Sequence, residues 1–156
     1  MRHLIYITLC LFGLATTAQS TILINNVVIF NGKDEKTITG NVLVVNNLIQ
    51  KISTSPIPTN KSGNTVIIDG KGKFLMPGLI DAHWHAILTA STMNELMYAE
   101  PGYVFIKAGD EAANTLMRGF TSVRDLGGPS FGLKKAIDDG VIDGPRIWPS
   151  GSIISQ

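Results

Sequence analysis

Met76-Pro77-Gly78-Leu79-Ile80-Asp81-Ala82-His83-Trp84-His85 is an apolar run that ends in a His-x-His pair, and the rest of the chain can be placed around it. An extended strand sends successive side chains to opposite faces, so the spacing predicts Asp81, His83 and His85 on one face and Ala82 and Trp84 on the other. Two imidazoles then converge. Neutral imidazole is a common ligand of zinc and similar divalent metals, so a pair on one strand end supplies part of a coordination sphere, though not all of one.

Working outward, Phe74-Leu75-Met76 and Leu79-Ile80 form a nearly continuous apolar stretch broken only by Pro77-Gly78. Such continuity predicts a strand buried on both faces, as in a parallel sheet covered by helices. Ala90 to Arg118 has helical periodicity: Met93, Leu96 and Met97 first, then, after a break at Pro101-Gly102, Val104, Ala108, Ala112 and Leu116, with Gly119 as the stop. The methionines Met93, Met97 and Met117 read as core filling. Phe120 to Leu126 predicts a second strand, Ser130 the cap of a helix over Phe131 to Asp139, and Arg146 to Ile154 a third strand. From residue 74 onward the order β, α, β, α, β is the start of an α/β fold with a parallel sheet.

The preceding segment, residues 19 to 73, reads as a small β-sandwich. Thr21 to Phe30 is a strand stopped by Asn31-Gly32, Asn41 to Ile52 holds two strands around Asn46-Asn47, and Thr65 to Gly70 is followed by the turn Lys71-Gly72-Lys73. Residues 1 to 18 have a basic start at Arg2, an apolar run from Leu4 to Leu14 and small residues at Ala15 to Ala18. That pattern predicts a secretory signal cleaved after Ala18 and an exported, periplasmic or extracellular protein; the run is short of the ~20 residues a membrane span needs. Removing it also removes Cys10, the only cysteine, so no disulfide is expected, and His3, the only histidine besides His83 and His85. The remaining acidic and basic residues are equal in number and interspersed, which argues against a nucleic-acid partner, and no basic amphipathic helix suggests a membrane surface. Gly127-Gly128 lacks the spacing of a phosphate-binding loop.

Pro77-Gly78-Leu79-Ile80-Asp81-Ala82-His83-Trp84-His85 resembles the entry strand of the amidohydrolase superfamily. Gly119-Phe120-Thr121-Ser122-Val123-Arg124-Asp125-Leu126-Gly127-Gly128 and Gly144-Pro145-Arg146-Ile147-Trp148-Pro149-Ser150-Gly151 look like its imidazolonepropionase-like branch, which includes enzymes that cleave dipeptides ending in proline. The resemblance implies the N-terminal part of a (β/α)8 TIM barrel preceded by a composite β-sandwich segment, with one or two divalent metal ions, usually zinc, at the C-terminal mouth of the strands. His83 and His85 match the first two metal ligands. It implies a metal-activated water that breaks a carbon–nitrogen bond in a small amide or dipeptide, and a homo-oligomer is compatible with the full-length form.

An eight-fold barrel needs roughly 250 residues, so the 156 here are expected to be a truncated N-terminal portion and inactive alone. The competing reading is a non-catalytic truncated product or an exported β-rich binding module. Asp81 is read as a partner that orients an imidazole in preference to a direct ligand. Asp125 is read as structural, as an ion pair with Arg124. Trp84 and Trp148 are read as packing residues, with Trp84 facing the helices.

Overall fold

The computed structural model describes residues 20–60 and 64–154, so the segment read as a signal lies outside the described residues. The chain divides between Met76 and Pro77 into two compact units.

The first unit is one sheet built from β1 (Thr21–Ile29), β2 (Ile38–Val45), β3 (Leu48–Ser53), β4 (Thr65–Asp69) and β5 (Phe74–Leu75). Its order is β3-β2-β1-β4, with β5 also paired to β1. The pairs β1–β2 and β2–β3 are antiparallel, whereas β4 and β5 lie parallel to successive parts of β1. Asn26 and Asn46 take left-handed backbone conformations, φ 54° and 56°, at the β1 irregularity and at the β2–β3 turn. Asparagine tolerates that region better than β-branched residues do.

Val27, Ile29 and Val42 form the buried cluster of this sheet, with Ile24, Val44 and Leu75 against it. The expected sandwich is therefore a single sheet among the described residues. Leu48 and Ile49 are successive, as are Val66, Ile67 and Ile68, so both faces carry apolar side chains, and all five are exposed. A second correction concerns the run from Phe74 to Ile80. Pro77 lacks a ladder donor and restricts the residue before it, so the run splits: Phe74–Leu75 pairs with Val28–Ile29, and a new strand begins at Leu79.

The second unit contains β6 (Leu79–Trp84), α1 (Met93–Tyr98), α2 (Pro101–Met117), β7 (Phe120–Asp125), α3 (Phe131–Asp138) and β8 (Arg146–Pro149). The strands form a parallel sheet in the order β6-β7-β8, as the alternation predicts. One buried cluster joins sheet and helices: Trp84 and Val123 and Ile147 from the sheet side meet Val104, Ala108 and Ala112 of α2 and Leu133 of α3. Spacing of four along α2 puts its three small side chains on one stripe, which lets the helix lie close to the strands.

Among the described residues only one face of this sheet is covered. Ile80 and Trp148 are exposed, so β6 is not buried on both faces and Trp148 is not a packing residue here, while Trp84 packs as expected. Met93, Met97 and Met117 are also exposed rather than core. Met117 falls on the opposite side of the helical period from Val104 and Ala112, and in α1 it is Leu96 that packs on the cluster. The expected break between the helices is present, with Pro101-Gly102 opening α2. Proline suits that position because its missing N–H would have no intrahelical partner.

α1 and α2 are joined by a polar staple. Thr92 and Glu95 form a reciprocal capping box, and Lys107 donates to both Glu95 carboxylate oxygens at 2.9 Å. The Thr92 N–H first, then Lys107, hold the Glu95 carboxyl down at about 2, and Glu95 raises the Lys107 ammonium in turn. A depressed carboxyl stabilises the fold above its unfolded value near 4.5 and loses that contribution as pH falls toward 2. We therefore expect α1 to loosen from α2 between those limits. An NMR titration of the Glu95 carboxyl, with Lys107→Met shifting its midpoint upward, checks this; an unperturbed midpoint in the unsubstituted protein rejects it.

Candidate metal centre

β6 delivers the two histidines at its C-terminal end, across an irregular stretch of pairing with its neighbour. Asp81 is paired with Val123 and Trp84 with Asp125, so β6 uses one residue more than β7 over this interval. Irregularities of this kind re-aim side chains and often lie next to functional sites. The N–H of His83, within the irregular interval, donates instead to Asp81 Oδ1 at 2.9 Å. The sequence reading had Asp81 orienting an imidazole; the hydrogen bond observed is to the backbone.

The rings of His83 and His85 meet edge to face, with centroids 5.2 Å apart and planes at 70°. The expected convergence is present. His83 is exposed and His85 half-buried, while Trp84 between them and Ala86 after them are buried. His85 Nδ1 is buried and has no hydrogen-bond partner. Two imidazoles side by side, one with an unpartnered buried nitrogen, fit part of the donor set of a borderline divalent metal ion. Among the described residues, no group of three or more His, Cys, Asp or Glu is placed to hold one.

The backbone around His85 is tied on both sides. Leu126 N–H donates to the Trp84 carbonyl at 2.9 Å, and Ala86 N–H donates to Asp125 Oδ1 at 3.0 Å. The His85 carbonyl accepts from Thr89 N–H at 3.0 Å and from Thr89 Oγ1 at 2.9 Å. Asp125 is fully buried and also accepts a short hydrogen bond from Ser130 Oγ. Arg124 is exposed, so the expected Arg124–Asp125 ion pair is replaced by these two donors. Ser130 stands at the α3 cap position, but its hydroxyl does not cap the helix; it serves Asp125. Nothing in sequence spacing marked Ala86 N–H as a partner of Asp125, because that contact spans 39 residues; Ser130, five residues on, reads as a helix cap instead.

The ends of β7 and β8 are joined in the same way, Ser150 N–H to the Asp125 carbonyl and Gly128 N–H to the Gly151 carbonyl, each at 2.9 Å. The histidines thus sit where binding sites of parallel α/β sheets form, beyond the C-terminal strand ends. An apolar groove of about 790 Å³ between α2 and α3, lined by Phe105, Ile106, Leu133 and Ala136 among others, includes neither histidine. No described helix is long and apolar enough to cross a membrane.

Residues 74–156 match the model of the amidohydrolase family, and the chain belongs to that family. Ochratoxinase of Aspergillus niger is 35% identical over 85 residues, covering 53% of this chain and 18% of the relative. Imidazolonepropionase of Treponema denticola is 35% identical over 74 residues, covering 47% and 18%. Among solved structures, a prolidase complexed with N-methylphosphonate-L-proline aligns with TM-score 0.76 at 30% identity, covering 88% of this chain and 33% of that one. The chain therefore spans about a fifth of the length of these curated relatives. The mixed α/β architecture and the family expected from the His-x-His strand are both found.

Asp81→Ala is expected to free the His83 N–H and speed its hydrogen exchange, at a cost of about 1 kcal/mol, whereas Asp81→Asn keeps an acceptor oxygen and changes exchange little. Equal exchange in both variants would show that the Asp81 bond does not hold the backbone at His83.

Proposed function

We propose that the protein is a hydrolase of amide or peptide-like carbon–nitrogen bonds that depends on a divalent metal, zinc in the first instance, held in part by His83 and His85. The observation that carries this reading is the edge-to-face pair of imidazoles at a parallel strand end, with one buried nitrogen unpartnered, in a chain of the amidohydrolase family. When bound, such an ion acidifies water and polarises a carbonyl.

The residues described here do the remaining work of placement. His83 and His85 present nitrogen donors from a strand end, Asp81 holds the backbone N–H of His83, and buried Trp84 and Ala86 exclude water from the side away from the donors. A (β/α)8 barrel in the whole protein, built on the β6–α–β7–α–β8 arrangement, would set the other ligands and the substrate pocket on later strands. Dipeptides ending in proline are the proposed substrate class, supported by the likeness to the prolidase structure.

The test is a zinc titration together with a peptide-hydrolysis assay. Two histidines fall short of the three protein ligands usual in catalytic zinc sites, so the 156-residue chain should bind zinc weakly and turn over nothing, while the whole protein retains zinc and releases proline. His83→Ala and His85→Ala should each lower zinc affinity by more than about tenfold. Unchanged zinc affinity in the double variant defeats the proposal. Export through residues 1–18 is proposed with it, and the mature protein recovered from outside the cytoplasm should begin at Gln19. A retained Met1 on the exported form argues against cleavage.

A further inference from the structure

We infer that Asp125 is a positioning residue for the metal centre, acting on His85 through the Ala86 peptide; the inference rests on the reading of His83 and His85 as metal ligands. Asp125 is 0% exposed, and burying a carboxylate is unfavourable unless its oxygens are paired. Each oxygen has one donor: Ala86 N–H on Oδ1 and Ser130 Oγ on Oδ2. The first is the amide immediately after His85.

That bond acts together with a second one. Leu126, the residue after Asp125, donates its N–H to the Trp84 carbonyl, immediately before His85. His85 is therefore bracketed by two bonds from consecutive residues of another strand end. The torsions left to aim its imidazole are those of the side chain and the two flanking peptides, and the bracket fixes both peptides. Ser130 then anchors the carboxylate from the first turn of α3, and Ser130 is itself 0% exposed. A carboxylate that grips a ligand's backbone does for the main chain what outer-sphere partners do for a ligand ring: it holds the donor atom within the tolerance that metal affinity demands.

The alternative is that Asp125 serves global stability alone, and the experiment separates the two. Cobalt(II) chloride is titrated into the whole protein and into Asp125→Ala, Ser130→Ala and Val104→Ala, following the visible absorption band, and thermal unfolding of each metal-free protein is recorded. Val104 lies in the same buried cluster but on α2, so Val104→Ala reports the effect of a core lesion. Asp125→Ala, which removes the acceptor of the Ala86 N–H, is expected to weaken cobalt binding by about 10- to 100-fold and to alter the band. Ser130→Ala should cost about 3-fold, because the Ala86 bond to Asp125 Oδ1 remains. Val104→Ala should lower the unfolding temperature and leave affinity and band unchanged.

A folded Asp125→Ala with wild-type affinity and band overturns the inference, as does a Val104→Ala that loses as much affinity. Should Asp125→Ala not fold, Ser130→Ala decides, and unchanged affinity there is an overturning result. The metal reading has its own arm: if His83→Ala with His85→Ala leaves cobalt binding as in the unsubstituted protein, that reading falls and the inference with it. Loss in the double histidine variant with none in Asp125→Ala isolates failure of the inference alone.

Discussion

A single buried carboxylate holds the strand ends of the second unit together. Asp125 receives one N–H from the chain leaving β6 and one hydroxyl from the start of α3, and its own carbonyl receives the Ser150 N–H from the chain leaving β8. Parallel strands have no hairpins to join them at this end; their connections cross behind the sheet through helices. Something else must set the relative heights of the ends. Here a carboxylate that would be unfavourable if left unpaired in the core is satisfied only when two segments arrive together, and the third is tied to the backbone of the same residue.

The helical layer supplies the complement. α2 lays Val104, Ala108 and Ala112 against the sheet, and the small alanines allow a close approach that a stripe of larger residues would prevent. The polar staple between Glu95 and Lys107 fastens the short α1 to this helix. It is partly exposed, so it contributes orientation more than stability. Hydrophobic burial positions the strands, and directional bonds then fix their ends.

Much of this was legible along the chain. The β-branched runs and Asn-Gly or Gly-rich turns placed the strands, and the four-residue spacing of Val104, Ala108 and Ala112 placed a helix face, because each signal is local. The convergence of His83 and His85 was legible for the same reason: two residues apart on a strand is a geometric statement. What was not legible is non-local. Phe74–Leu75 looked continuous with Leu79–Ile80, yet its partner is Val28–Ile29, and no local pattern names a partner. Asp125 next to Arg124 suggested an ion pair, whereas adjacent strand residues point to opposite faces and the donors are Ser130, beyond the strand end, and the remote Ala86. The methionines satisfied a helical period without lying on its buried phase.

The extra residue of β6 between Asp81 and Trp84 bears on how this stretch can vary. Side chains on a strand keep their phase by counting, so the irregular interval works as a spacer whose length matters more than its composition. The extra residue offsets the one that β7 gains between Phe120 and Ser122, so removing a residue there would leave β6 out of step with β7 at its C-terminal end and exchange the roles of the two sides, turning an indole toward the place of an imidazole and an imidazole toward the apolar layer. Ala82 could be replaced by many residues under that constraint. It could not be omitted. Thr89 ties back to the His85 carbonyl through both its N–H and its hydroxyl, so the chain just beyond the pair is held as well. Length is thus fixed on both sides of the histidine pair.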